Sequence, residues 1–395
     1  MSRLATVFAD ITPRAVSAGL MVALVGYASS VAIVIQGLRA VGASGADIAS
    51  ALLLLGLAKG AVAIGLSLVT RMPVSIAWTT PGLALLISVG GTAGGFADAV
   101  GAFILAGLMI AFAGLWPRLG ALVVAIPKPI ASAMLAGVLL KLCLAPFIAL
   151  KALPVTAGAV ILVWLILMRF ARSAAVPVAA LVALVSTIAL APPGTYDGVL
   201  QWPQVTLTTP TFSLEATVSL ALPLFFVTMA SQNITGLAVL ATFGYHLKTS
   251  LAFVSTGLAS VVIAPFGAPT VNLAAVTAAL AAGPDAGPDP QKRYVAAVFS
   301  GIGYIMLALI AGLAAATVTR APPLLIEAVA GLALIGAFSN AALAALNDET
   351  VRLSAAITFL TTASGLSIAG IGSAFLGLVF GLLVMGIERW PRQNI

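Results

Sequence analysis

Apolar runs of membrane-spanning length follow one another along nearly the whole chain, with only short polar turns between them. A bilayer core offers no water to unpaired backbone groups, so a chain of this kind can fold only as helices or as a closed barrel. Runs of about 20 apolar residues match helices crossing roughly 30 Å of hydrocarbon. The chain therefore reads as an all-α polytopic membrane protein. Only 7% of its residues are charged, against about a quarter in a soluble domain. No polar stretch is long enough for a soluble domain, and the first apolar run continues to full spanning length instead of ending at a cleavage site.

Two of the runs are interrupted. Residues 73–86 read PVSIAWTTPGLALL and residues 264–280 read APFGAPTVNLAAVTAAL. Each has a Pro at or next to its start (Pro73, Pro265), passes through small and hydroxyl residues, meets a second Pro (Pro81, Pro269) and only then takes on helical character. Pro favours the first turn of a helix and pushes the residue before it into extended geometry. Each run is thus expected to be an extended stretch followed by a half-helix. A helix over residues 270–283 would be about 21 Å long and could not span alone. Two interrupted segments at matching places in two halves point to a transporter's binding site.

The pattern predicts fourteen segments: 15–38, 46–69, 73–93, 96–115, 128–146, 153–170, 175–191, 216–241, 249–264, 268–283, 292–318, 322–346, 351–367 and 369–388. The longest polar interruption, residues 192–215, divides them seven and seven, as a first repeat over 1–191 and a second over 216–395. With both termini placed inside, thirteen basic residues fall on the cytoplasmic side: Arg3, Arg14, Arg71, Arg118, Lys128, Arg169, Arg172, Lys248, Lys292, Arg293, Arg352, Arg389 and Arg392. Arg39, Lys151 and Arg320 fall outside, and Lys59 and Lys141 lie within spans. That bias supports the count and the orientation. An odd number of segments per half inserts the second half upside down, as an inverted repeat. Tyr27-Ala28-Ser29-Ser30 in segment 1 answers Met229-Ala230-Ser231-Gln232 in segment 8. The net charge of +7 is scattered over helix ends and carries no nucleic-acid signal.

The half-helices are expected to begin near Thr80 and Thr270. Free N–H groups and the helix dipole at two such ends would hold an anion without Arg or Lys. Thr79, Thr80, Thr270 and Asn272 add donors, although Thr and Asn also simply cap helices. Ser231, Gln232 and Asn233 interrupt the apolar segment 8, where amides either bond neighbouring helices or face a cavity. Tyr27, Ser29 and Ser30 occupy the related place in segment 1. Trp78, Phe225, Phe226 and Phe266 could sandwich an aromatic ring, with ordinary packing favoured for Phe225 and Phe226. Lys59 lies deep in segment 2, where an ionisable residue is a functional candidate that either compensates an anion or pairs with a carboxylate. Asp98 and Glu327 sit in the first turns of segments 4 and 12, positions that favour a carboxylate on their own. The single cysteine, Cys143, excludes an intramolecular disulfide and a Cys-based metal site. No metal-ligand cluster, phosphate loop or nucleophile–base set is evident, so neither enzyme nor cofactor is expected.

WTTPGLALL (78–86), PLFFVTMASQNITGLAVL (223–240), APFGAPTVNLAAVTAAL and GPDAGPDPQKRYVAAV (283–298) resemble the BenE-type benzoate transporters, over nearly the whole chain. The resemblance implies a benzoate:proton symporter of the bacterial inner membrane, similar in architecture to uracil permeases and the sulfate-permease group. It implies a core domain over 15–115 and 216–318, a gate domain over 116–191 and 319–390, and substrate held between the two half-helices. It leaves a homodimer open. The family pattern has Ser at Thr79 and Pro at Thr235. Uracil permeases carry glutamates in segments 8 and 10, where this chain has only Gln232, Asn233 and Asn272; a fixed carboxylate there would repel an anion. The expected function is import of benzoate or a related aromatic carboxylate with protons. The alternatives are a nucleobase or inorganic-anion carrier on the same scaffold, or an anion channel.

Overall fold

The computed structural model describes residues 3–92, 94–116, 127–192, 204–274, 277–312, 321–368 and 372–388. Arg118, Arg320, Arg389 and Arg392, and residues 193–203 of the central connection, lie outside that set.

The first half contains α1 (Arg3–Asp10), α2 (Pro13–Ala28), α3 (Val31–Ala40), α4 (Gly45–Thr70), β1 (Ile76–Trp78), α5 (Thr80–Val89) and α6 (Gly95–Leu115). It continues with α7 (Lys128–Ala152), α8 (Pro154–Phe170) and α9 (Ala175–Leu190). The second half contains α10 (Leu214–Thr242), α11 (Thr249–Ile263), β2 (Val271–Leu273), α12 (Ala278–Ala282) and α13 (Tyr294–Leu309). It ends with α14 (Pro323–Leu346), α15 (Arg352–Ala363) and α16 (Ser373–Glu388). Among the described residues, eight helical spans are long and apolar enough to cross a membrane, and four shorter apolar helices, including α5 and α16, fall at other expected segments.

Capping follows the chain's own signals. Ser44 and Asp47 form a reciprocal capping box at the start of α4, which satisfies two N–H groups the helix itself leaves open. Pro13 opens α2, and the Thr12 hydroxyl accepts from Ala15 N–H. α13 packs on α2 and α4, and α11 on α4 and α6. Elsewhere α7 packs on α14 and α15, α15 on α16, and α8 on α9.

The two interrupted runs pair with each other. β1 and β2 form an antiparallel two-stranded ribbon, with Ala77 opposite Asn272 and Trp78 opposite Val271. Antiparallel pairing places the two segments head to tail, as an inverted repeat requires. Backbone hydrogen bonds extend the ribbon, from Thr79 N–H to Thr270 O (3.1 Å) and from Ala274 N–H to Ser75 O (2.9 Å).

One expectation is corrected, and the structure adds detail to two segments. The second half-helix does not begin near Thr270: residues 271–273 are strand, and helix resumes only at Ala278, with Thr277 at its N-cap. Pairing with β1 holds that backbone extended. Segment 1 is not one continuous helix, because Ser29 and Ser30 separate α2 from α3. Segment 8 is helical but contains two π turns, Thr217–Ala221 and Met229–Asn233.

Candidate functional site at the strand crossing

Extended backbone inside a membrane leaves N–H groups that must find partners in the protein. Here intramembrane side chains supply them. The Ser260 hydroxyl accepts from Val271 N–H at 2.9 Å, and the Asn233 Oδ1 accepts from Leu273 N–H at 2.9 Å. The Asn272 amide fits in one orientation: its oxygen accepts from Thr79 N–H at 3.0 Å and its nitrogen donates to Leu273 O at 2.9 Å. Asn272 therefore ties β2 to the first residue before α5.

α5 begins at the crossing itself. The Thr79 hydroxyl accepts from Gly82 N–H at 3.2 Å and lies 2.8 Å from the Thr228 hydroxyl. Thr228 lies 3.4 Å from Thr270, so three buried hydroxyls join α10, α5 and the approach to β2. Leu83 N–H is held by the Thr79 carbonyl, and Pro81 has no N–H. Thr80 is left to supply the open N–H of the helix start.

The expected residues divide by burial. Trp78, Thr79, Asn233, Thr270 and Asn272 are closed off within the protein, whereas Ser29, Thr80, Ser231 and Gln232 remain half-buried. Asn233, Ser231 and Gln232 all lie on the second π turn, a feature frequent at functional sites. The Ser231 hydroxyl donates back to Val227 O at 2.5 Å. Phe225 is buried with its ring 5.3 Å from that of Phe226, an arrangement of ordinary packing.

Trp78 turns toward segment 1. Its indole N–H donates to Ser30 Oγ at 2.8 Å, and its ring lies 5.5 Å from that of Tyr27. The Tyr27 hydroxyl is buried without a hydrogen-bond partner. On Trp78 also rests Lys59, which is 1% exposed. Its Nζ lies 3.7 Å from the Trp78 ring centroid and 3.6 Å from that of Tyr304 on α13. Facing glycines allow this approach: a Cβ on Gly60 would fall 2.6 Å from the Gly301 carbonyl oxygen. A desolvated ring–cation contact contributes about 2 kcal/mol, against several kcal/mol for taking an ammonium out of water.

Lys59 pairs with neither candidate carboxylate. Asp98 accepts from Thr211 (2.5 Å), Ser213 (2.8 Å) and Thr92 (3.4 Å), which fastens the central connection to the start of α6. Glu327 is half-buried in the second turn of α14. A polar recess of about 80 Å³ lies at the other end of α5, between Ser88, Thr92, Glu215, Ser219 and Ser373.

Sequence reasoning missed Thr228, Ser260 and Tyr304. Each is a hydroxyl in a largely apolar helix, which the sequence alone does not separate from ordinary packing. Among the described residues no group of three or more His, Cys, Asp or Glu side chains could hold a metal.

Comparison with known proteins follows from this geometry. The family model described as "BenE: Benzoate membrane transport protein" matches residues 9–387. The chain is 40% identical to the inner membrane protein YdcO of Escherichia coli, over 94% of this chain and 95% of that one. It is 31% identical to the benzoate membrane transport protein of Acinetobacter baylyi, over 99% of both. Among solved structures it is similar to the transmembrane domain of the cyanobacterial bicarbonate transporter BicA (TM-score 0.56, 18% identity, 96% of this chain and 98% of that one). It is also similar to SLC26A9 (TM-score 0.61, 13% identity, 94% of this chain and 64% of that one). At these identities the structural likeness speaks for the fold alone.

Proposed function

The chain belongs to the BenE family of benzoate membrane transport proteins, and from that premise we propose that it imports benzoate or a related aromatic carboxylate together with protons. The family is one of membrane transporters, and the chain is a multi-pass membrane protein. In this reading it sits in a bacterial inner membrane with both termini cytoplasmic and works by alternating access, as a monomer or a homodimer.

One observation carries the substrate class. The crossing of β1 and β2 presents hydroxyls, amides and a helix N-terminus, and its polar side chains include no carboxylate. Such a site suits an anion, because neutral donors and the positive end of α5 favour negative charge. The carboxylate is held by Thr80 N–H and by the Thr80 and Gln232 side chains, with Ser29 opposite and Ser231, whose hydroxyl donates to Val227 O, at the border of the site. Asn272, Thr79, Thr270 and Asn233 hold the crossing in shape, while Trp78 and Tyr27 form an aromatic wall.

The helices that pack together supply the moving parts. The group α2–α6 with α10–α13 is the core and carries the site; the group α7–α9 with α14–α16 is the gate. Asp98 keeps the core's loop in place, and Glu327 lies on the gate.

The test is uptake of radiolabelled benzoate into proteoliposomes, with and without an inward proton gradient. Saturable uptake that rises with the gradient, and that excess unlabelled benzoate abolishes, is the expected result. Competition by uracil, sulfate or bicarbonate in place of benzoate would move the substrate to the nucleobases or inorganic anions. Conductance without saturation would make the protein a channel.

A further inference from the structure

Lys59 stands at the centre of α4, about 18 Å of helix from Asp47 at one end and from Arg71 beyond the other. The ion pairs among the described residues are Arg71 with Asp10, Lys292 with Asp10, and Arg352 with Glu349, and none reaches Lys59. Of the elements packed on α4, α13 brings Tyr304, with Tyr294 at its distant start, and β1 brings Trp78, with Tyr27 of α2 beyond it. α11 and β2 bring no titratable side chain, and α3 brings only Arg39 in its last turn. Lys59 is thus the basic side chain of the crossing, and two rings alone offset only part of the cost of a buried ammonium. Trp78 directly precedes Thr79, the cap of α5, so the ring on which the Lys59 amine rests belongs to the residue next to that cap.

We propose that Lys59 carries the coupled proton: its Nζ is protonated in the carrier loaded with the aromatic carboxylate and unprotonated in the empty carrier. This rests on the aromatic-carboxylate reading above. As the anion enters from the extracytoplasmic side, one proton from that side adds to the Nζ lone pair. Both leave into the cytoplasm, and no bond of the substrate changes. The loaded site holds one positive and one negative charge and the empty site holds neither, so neither reorientation drags net charge through the bilayer. Binding of the proton and of the anion strengthen each other by one common factor. Absence of carboxylates at segments 8 and 10 follows, since the proton travels on a base that pairs with the anion.

Native protein, Lys59→Arg and Lys59→Met are compared in proteoliposomes by two assays. Counterflow of labelled benzoate needs only the loaded carrier to reorient; net uptake down a proton gradient also needs the empty carrier to return. Arg stays charged, so in K59R counterflow remains within about fivefold of native while net uptake falls at least about twentyfold, the empty carrier now bearing a charge. K59M takes up benzoate without dependence on the proton gradient, and an interior-positive potential accelerates it where native uptake is indifferent to potential. Proton-driven net uptake near the native rate in either variant overturns the proposal. So does an equal loss of counterflow and net uptake in both variants, which marks a purely structural clamp. Should K59R fail to fold, the voltage response of K59M decides. A native protein that neither exchanges nor accumulates benzoate removes the substrate reading, and this proposal with it.

Discussion

The two interrupted segments look alike in sequence and differ in the folded chain. The first passes from β1 straight into α5, ten residues long and capped by Thr79 at the crossing. The second passes through β2 and becomes helical again only at α12, five residues long, whose N-cap Thr277 makes no capping bond. One segment brings a helix N-terminus to the strand crossing. The other brings strand edges, held by Ser260, Asn233 and the Asn272 amide. In the proposed reading the pseudo-symmetric halves divide the work: the first offers the helix N-terminus, and the second offers the frame together with the Gln232 side chain.

The largest effect is expected where frame and site touch. Asn272→Asp would set a carboxylate beside the α5 N-terminus, and two like charges about 4 Å apart repel by about 4 kcal/mol at an intermediate dielectric. Benzoate uptake should fall at least about a hundredfold, measured as initial rates in proteoliposomes at matched protein content. Unchanged kinetics would dissolve the proposed site. Next comes the frame alone. Asn233→Leu leaves Leu273 N–H buried without an acceptor, a loss of about 1–3 kcal/mol, visible as a lower melting midpoint in detergent. A native melting curve would show that the strand edge has another support.

Smaller effects separate the halves. Thr79→Ala removes the cap of α5 and should cost about 1 kcal/mol while raising the KM for benzoate. Thr277→Ala breaks a buried contact with Ser75 (3.3 Å) and should cost about 0.5–1.5 kcal/mol with the KM unmoved. If both variants, or neither, shift the KM, the two helix starts are equivalent after all and the comparison fails.

Much of this architecture was legible because a membrane makes polar and breaking residues conspicuous. Pro73, Pro81, Pro265 and Pro269 marked both extended stretches, which singled out Trp78, Thr79 and Asn272 within them. Lys59 stood out for the same reason. Its partner did not: the sequence offered carboxylates, and the fold supplies the rings of Trp78 and Tyr304. A Tyr in an apolar helix reads as packing until α4 and α13 meet at Gly60 and Gly301. The pairing of β1 with β2 joins distant parts of the chain, which no local pattern encodes. The π turn at Met229–Asn233 leaves no signature in hydropathy, and Ser260 looks like any small polar residue until Val271 N–H needs an acceptor.

The most direct test of the central claim is an experimental density map of the protein with benzoate bound. The carboxylate should lie within hydrogen-bonding distance of Thr80 and Gln232, with the ring on the apolar side of the crossing and Lys59 adjacent. Benzoate found instead in the recess beside Glu215 and Ser373, or with its carboxylate away from the start of α5, would contradict the account.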